Sequence, residues 1–192
     1  MKTLIFATNN QHKVDEIRLI LGNRFKLLTL KEAGIDIDIP EPHDTIEANA
    51  AEKSKVIYQL TGENCFSEDT GLEVEALDGE PGVKSARYAG ETRSFEDNIE
   101  KLLLNLKGET HRKAHFKTVI SLLLDGKQYF FEGICPGTIT TQKIGSNGFG
   151  YDPVFIPDGS DKTFGEMTME GKTTFSHRKK ATEKLVQFLA AH

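Results

Sequence analysis

Two adjacent carboxylates stand out in the stretch SEDTG, at positions 67–71, which follows an apolar run. Side chains alternate along a strand, so Glu68 and Asp69 point to opposite faces unless the chain turns, and Thr70-Gly71 permits a turn. Carboxylate oxygens suit Mg²⁺, which takes one or two protein carboxylates together with phosphate oxygens. The alternative is a solvated acidic turn, and the local sequence leaves both interpretations open.

A polar stretch, TNNQHK at positions 8–13, separates an apolar run from a segment with helical spacing. A helix N-terminus attracts anions because its backbone N–H groups are unpaired and its dipole is positive there. Lys13 adds a full charge. The stretch therefore predicts a phosphate-binding loop, although an ordinary loop with a surface lysine has the same composition.

Aromatic side chains occur between glycines in GFGYDPVF, at positions 148–155. The glycines permit a flat ligand to approach closely, and Phe149 is able to stack on a base. The residue before a proline, Asp152, is held extended. A strand entry with core aromatics is the competing interpretation.

A basic cluster follows Ser176 in KTTFSHRKKA, at positions 172–181, where the serine is a good helix cap. His177, Arg178 and the two lysines after them crowd the first helical turn. Cations are unfavourable at that end of the helix dipole, so the cluster predicts an anion or a carbonyl-bearing ligand nearby. A solvated surface helix is the alternative.

Taken together, the four stretches predict a metal-dependent nucleotide enzyme, with carboxylates for a metal, basic groups for phosphates and an aromatic ring for a base. The net charge is −5, from 24 basic and 29 acidic residues, which argues against a nucleic-acid-binding protein. The N-terminal apolar run is too short for a signal peptide, and no run is long enough to span a bilayer. We therefore expect a cytoplasmic protein without membrane contact, whose Cys65 and Cys135 are reduced and buried.

The order of predicted elements favours an α/β fold. Strand, polar loop and helix alternate over the first part of the chain, and a hairpin with a DG turn follows within positions 115–135. This mixture predicts a mixed sheet with helices packed on it. The 192 residues fit one domain over 1–192, with room for two lobes.

The motifs occur in an order that resembles the inosine triphosphate pyrophosphatases. TxNxxK near the N-terminus is followed by SEDTGL, GEPGVKSARYAG, GFGYDPVF and finally KxxxSHR. The resemblance spans essentially the whole chain, from Thr8 to Arg178. It implies an elongated mixed β-sheet flanked by helices, with two lobes around a central nucleotide cleft.

The resemblance also implies an activity: Mg²⁺-dependent hydrolysis of ITP, dITP and XTP to the monophosphate and pyrophosphate by a homodimer, which cleanses the nucleotide pool. Asp69 would be the general base and a metal contact, with Glu41 and Glu68 as further metal carboxylates. A large set of residues would contact the substrate: Thr8, Asn9, Asn10, Gln11, His12, Lys13, Lys53, Thr70, Phe149, Gly150, Tyr151, Asp152, Lys172, His177 and Arg178.

Within that set, Lys172 and Arg178 would read the base, because both only donate and a 6-keto group accepts. The chain departs from the family pattern at Asn9, where glycine is frequent, and at Glu68 and Thr70, where aspartate and serine are common. Two alternatives stay open: a related pyrophosphatase for other modified nucleotides, and a non-catalytic nucleotide-binding module.

Overall fold

A computed structural model describes residues 3–23 and 25–192. Within them the strands are β1 (Thr3–Phe6), β2 (Lys26–Thr29), β3 (Cys65–Val74), β4 (Pro81–Gly82), β5 (Lys113–Leu124), β6 (Lys127–Ile139) and β7 (Phe155–Pro157). The α-helices are α1 (Gln11–Leu21), α2 (Ile46–Thr61), α3 (Phe95–Asn105), α4 (Met169–Phe175) and α5 (His177–Ala190). Short 3₁₀ turns connect several of these elements.

The strands form one mixed sheet in the order β2-β1-β3-β5-β6-β7, with β4 pairing on β3. Strand β1 runs parallel to both β2 and β3, whereas β4 pairs with β3, and β7 with β6, in antiparallel fashion. A parallel pair requires a crossover, which α1 and α2 supply. The predicted α/β fold, a mixed sheet with flanking helices, is thereby confirmed.

The chain divides into two compact units, each with its own core. The first unit contains residues up to 69, residues 118–133 and residues 178–192. The second unit contains residues 70–117 and 134–177.

The first unit places helices on both faces of its strands. Phe66 of β3 packs in one cluster with side chains of α1 and α5, such as Ile17 and Leu185. Its neighbour Cys65 belongs to a second cluster, with Ile57 of α2. Alternation along residues 65–69 of β3 therefore directs even-numbered side chains towards α1 and α5 and odd-numbered ones towards α2.

The second unit is organised around aromatic side chains. Phe116 of β5 packs edge-on against Phe155 of β7, with ring centroids 4.6 Å apart, and lies 6.1 Å from Phe164. Helix α3 covers this core with Ile99 and Leu102. The unit thus rests on close packing of large rings, which contribute much of the buried apolar area.

The DG turn predicted from the sequence joins β5 and β6. Asp125 and Gly126 have φ values of 50° and 78°, and two successive positive φ angles are typical of the tight turn that best matches strand twist. This hairpin prediction is confirmed.

Of the two interpretations left open at positions 67–71, the structure excludes a turn at Thr70-Gly71, because β3 continues without interruption from Cys65 to Val74. The alternating isoleucines at 35, 37 and 39 have the pattern of a half-exposed strand, and that prediction is wrong: they are half-buried against the second cluster of the first unit but form no strand pairing. Hydrophobic alternation reports a half-buried extended segment, and pairing with a neighbour is a separate requirement.

No helix within residues 3–23 and 25–192 combines the length and hydrophobicity required to cross a membrane.

Candidate active site

Strand β3 brings the two adjacent carboxylates into the first unit on opposite faces. Because the strand does not turn, Glu68 points towards α1 and α5, and Asp69 points towards α2. Both side chains are buried. Buried carboxylates require partners, and each of the two has a different set.

Asp69 shares a lysine with Glu41. The ammonium of Lys53, on α2, lies 3.2 Å from Asp69 Oδ1 and 2.7 Å from Glu41 Oε1, and it also donates to the main-chain oxygen of Glu68 at 2.8 Å. Three oxygens thus converge on one cation. Two carboxylates that share one ammonium leave a net negative charge in a largely buried place.

This charge balance affects ionisation. Burial, opposed by Lys53 and Lys13 and reinforced by Glu41, raises the pKa of Asp69 above its ordinary value. Burial would lower the pKa of Lys53, but the charges of Asp69 and Glu41 outweigh it and raise that pKa instead. Asp69 is therefore a better proton acceptor than an exposed aspartate, as a general base requires.

Glu68 is held by two cations. Lys13 Nζ lies 2.9 Å from Glu68 Oε1, and the guanidinium of Arg178 bonds both oxygens through Nε and Nη2. Arg178 also pairs with Glu16 of α1 through Nη1. Burial would raise the pKa of Glu68, but the charges of Arg178 and Lys13 hold it well below the ordinary value.

The structure identifies two partners for Arg178, a member of the basic cluster that follows Ser176. Arg178 lies in the first turn of α5, at the end where cations are unfavourable, and is only 1% exposed. The anions that compensate it are the carboxylates of Glu16 and Glu68. Nε, Nη1 and Nη2 of Arg178 donate to these carboxylates, and the contact of Arg178 with a nucleobase stays a prediction.

The carboxylate oxygens of Glu41 and Asp69 are of the chemical type that binds a divalent metal ion. Glu41 and Asp69 converge on the Lys53 cation, and Mg²⁺ usually takes one or two protein carboxylates, completed by water and phosphate oxygens. No cluster of three or more His, Cys, Asp or Glu side chains able to hold a metal occurs within residues 3–23 and 25–192. Both oxygens of Glu68 bond Arg178 or Lys13, and its role as a metal carboxylate stays a prediction.

The predicted phosphate loop begins α1. Asn10 is the N-cap, and its side-chain oxygen accepts from Lys13 N at 3.4 Å, while its own N–H donates to Thr8 Oγ1 at 3.1 Å. Asn9 donates through Nδ2 to the carbonyl of Ile37 at 3.4 Å. Gln11 and His12 are exposed. The loop is therefore a capped helix N-terminus whose one lysine points at Glu68.

The aromatic stretch lies in the second unit. Lys172 Nζ is 2.8 Å from Asp152 Oδ2 and 4.7 Å from the centre of the Phe149 ring. The same Asp152 oxygen accepts from the backbone N–H of Phe149 at 3.0 Å. A Cβ on Gly148 would lie 2.0 Å from this oxygen, so only glycine fits there. These contacts fix the aromatic ring, the lysine and the carboxylate as one group.

Four further predicted residues lie in the second unit. Tyr151 is buried and donates to the carbonyl of Ser85 at 2.7 Å, and Gly150 precedes it with a positive φ of 59°. His177 is buried and stacks on Phe116 with ring centroids 4.7 Å apart. Thr70 is half-buried in β3. The predicted residues thus form two groups, one in each unit.

The sequence matches the Ham1 family over residues 4–188. The chain belongs to this family. It is 51% identical to the dITP/XTP pyrophosphatase of Flavobacterium johnsoniae over 188 residues, which cover 98% of each protein. The solved Ham1 protein of Staphylococcus aureus superimposes with a TM-score of 0.90 at 41% identity and 99% coverage of both chains. The HAM1 protein of Coxiella burnetii gives a TM-score of 0.91 at 32% identity, with 100% coverage of both chains. Membership of the Ham1 family confirms the resemblance inferred from the motifs.

Glu16 is a charged member of this site that none of the sequence motifs includes. It follows Lys13 by three residues, so both lie on the same side of α1, beside the apolar stripe of Val14 and Ile17. A carboxylate next to a buried helix face is a signal of an internal ion pair. Its partner, Arg178, is 162 residues away in sequence, which no local pattern reveals.

Proposed function

We propose that this chain is a dITP/XTP pyrophosphatase that releases pyrophosphate and the nucleoside monophosphate. The observation that carries the proposal is the buried arrangement of Asp69, Lys53 and Glu41 in a chain half identical to an enzyme of that name. Removing these charged groups from water costs solvation free energy, and carboxylates with shifted pKa values are frequent at catalytic centres. It supports a hydrolytic role for this Ham1 protein.

In this proposal Asp69 acts as the general base. Its carboxylate accepts a proton from a water molecule, whose oxygen forms a bond to the α-phosphorus of the triphosphate. The anhydride bond between the α- and β-phosphates breaks, and pyrophosphate leaves. Lys53 orients the Asp69 carboxylate through the bond to Oδ1, so that the base is ready before substrate arrives.

The phosphates would be bound by the N-terminus of α1 and by Lys13. Backbone N–H groups at a helix N-terminus and a lysine together favour an anion. Mg²⁺, held by Asp69 and Glu41, would neutralise phosphate charge and polarise the phosphoryl group. Glu68 and Arg178 would hold Lys13 and β3 in place.

Base selection is proposed for the group in the second unit. Hypoxanthine and xanthine present a 6-keto acceptor, whereas adenine presents a 6-amino donor. Lys172 only donates, so a keto group suits it and an amino group does not. Phe149, whose ring is fixed beside Lys172, offers a surface for stacking.

A homodimer, implied by the family resemblance, and a cytoplasmic location stay predictions. Neither enters the chemistry proposed above.

The test is pyrophosphate release from dITP, XTP, GTP and ATP, each with Mg²⁺ and with EDTA. We expect fast release from dITP and XTP in Mg²⁺, little from ATP, and none in EDTA; because GTP shares the 6-keto group, its rejection would require a further contact at its 2-amino group. A site built on hydrogen bonds rejects the wrong partner by roughly 10⁴-fold. Binding without release would favour the non-catalytic nucleotide-binding alternative, and equal rates on all four would contradict the substrate assignment.

A further inference from the structure

Glu41 lies in a segment without regular structure. Residues 35–44 form neither helix nor strand, so no backbone ladder fixes the carboxylate that bonds Lys53. Pro40 and Pro42 restrict the backbone on either side of it, because a proline ring fixes φ. The position of Glu41 therefore depends on whatever anchors this segment at its ends.

The upstream end is anchored by apolar contact. Ile35, Ile37 and Ile39 are half-buried against the core cluster that contains Ile57 of α2. Such contacts are not directional and permit small shifts along the surface, and the hydrogen bond that the Ile37 carbonyl accepts from Asn9 Nδ2 is long, at 3.4 Å. They locate the segment without fixing the direction of the side chain two residues further on.

The downstream end is anchored by the side chain of Asn49. Its Oδ1 accepts from the backbone N–H of His43 at 2.9 Å, and its Nδ2 donates to the carbonyl of His43 at 3.1 Å. Asn49 has 0% exposure. Two bonds to one residue fix both the distance and the direction of the backbone at His43, which is two residues after Glu41.

Asn49 is not required as the cap of α2. Thr45 is the N-cap of that helix, and its hydroxyl accepts from the backbone N–H of Ala48 at 3.1 Å. The side-chain amide of Asn49 instead bonds the backbone of His43, in the segment before the helix. A fully buried amide that satisfies both main-chain groups of one distant residue is a directional anchor, not a helix-end device.

Helix α2 then makes a second contact with the same segment. Lys53 follows Asn49 by four residues, so the two side chains lie on one face of the helix. One of them fixes the backbone of His43, and the other bonds the carboxylate of Glu41 at 2.7 Å. This face of α2 therefore fixes the direction of the backbone at His43 and also pairs with the negative charge of Glu41.

We propose that Asn49 is the positioning residue of the site: it sets Glu41 against Lys53 and Asp69. Its kinetic consequence rests on the hydrolytic function proposed above. Its structural consequence, a fixed backbone at His43, rests on the geometry alone. Losing a residue that orients a functional carboxylate typically costs 10–100-fold in activity.

A double-mutant cycle tests the kinetic consequence. We expect Asn49→Ala to lower kcat/KM for XTP by about 10–100-fold in the wild-type background. In a Glu41→Gln background the same change should cost about twofold or less, because the carboxylate it positions is already gone. Independent, multiplicative effects would overturn the proposal.

The matched control is Asn98→Ala. Asn98 is also buried, accepts from Ala89 N at 2.7 Å and donates to Ala86 O at 3.0 Å, but it anchors a turn in the second unit. Its thermal destabilisation should resemble that of Asn49→Ala, while its kinetic effect should multiply with Glu41→Gln. If Asn98→Ala showed the same dependence on Glu41, loss of stability would explain both variants and the proposal would fail.

Hydrogen exchange tests the geometry without substrate. We expect the His43 amide of the folded Asn49→Ala protein to exchange at least about tenfold faster, and that of Asn98→Ala to stay at the wild-type rate. Asn49→Leu, which keeps the shape of the side chain and loses both of its polar atoms, takes the place of the alanine variant if that protein does not fold. Unchanged exchange at His43 refutes the anchor, whereas absent XTP hydrolysis by the wild type refutes only the proposed function.

Discussion

Asp69→Asn is expected to lower kcat for XTP by about 10²–10⁴-fold while the protein stays folded. The asparagine has the same shape but cannot accept the proton of the attacking water, and a positioned general base contributes an effect of this size. The bond to Lys53 is retained in form, since an amide oxygen still accepts. The measurement is steady-state pyrophosphate release, with circular dichroism to verify the fold.

The matched control is Glu73→Gln, which makes the same change of carboxylate to amide on the same strand. Glu73 is half-exposed and bonds His115 at 2.6 Å, away from the Lys53 group. We expect its kcat to stay within about twofold of the wild type, as a surface pair contributes little. Wild-type turnover in Asp69→Asn would refute the assignment of the base.

The pH dependence of kcat/KM provides a second test of the role of Asp69. Because burial raises the pKa of Asp69, the acid limb of kcat/KM should lie above 3.8, the ordinary value for aspartate. Lys53 opposes this shift, so Lys53→Met should move the limb to higher pH, while the ionisation of the substrate stays the same. A limb that moves to lower pH would contradict the described charge balance.

Arg178→Ala is expected to reduce the free energy of unfolding by about 3–5 kcal/mol. The guanidinium is 1% exposed and pairs with Glu16 and Glu68, so its removal leaves two buried carboxylates without their shared cation. Removing one partner of a buried ion pair has this magnitude because the remaining charge is not solvated. Urea denaturation followed by circular dichroism measures the change.

Lys179→Ala is the control for that variant, one residue along α5. Its ammonium lies 3.7 Å from Glu183 in an exposed pair, for which we expect less than about 1 kcal/mol. Combining Arg178→Met with Glu16→Gln and Glu68→Gln should recover much of the lost stability, since the three paired buried charges are then all removed and Lys13, the other partner of Glu68, is partly exposed. A loss for Arg178→Ala as small as that of the control would contradict the buried network.

The elements of the fold follow from local patterns in the sequence. Helical spacing of Val14, Ile17 and Leu21 predicted α1, and the Asp125-Gly126 pair predicted the hairpin turn. Both signals are local: a helix face repeats every three to four residues, and two positive φ angles limit a turn to few residue types. The mixed sheet followed from the alternation of such elements.

The site was predicted in its residue types but not in its pairing. Carboxylates at 68 and 69 indicated a functional centre, but the glycine after Thr70 suggested a turn that β3 does not make. Neighbouring strands determined the outcome, because ladder pairing outweighs the preference of a single glycine. The uninterrupted strand is what separates the roles of the two carboxylates.

Long-range partners remain invisible to local patterns. The basic cluster after Ser176 predicts an anion or a carbonyl-bearing ligand nearby, but it gives no sign that Glu16 and Glu68 of the same chain bond Arg178. Asn49 likewise has an ordinary helical environment in the sequence. Its function as an anchor is visible only when His43 is placed against α2.

The most direct test of the central claim is XTP hydrolysis in ¹⁸O-labelled water, with mass analysis of both products. Attack of an Asp69-activated water on the α-phosphorus predicts that one ¹⁸O atom enters the nucleoside monophosphate and none enters pyrophosphate. Label in the pyrophosphate, or release of orthophosphate in place of pyrophosphate, would contradict the account.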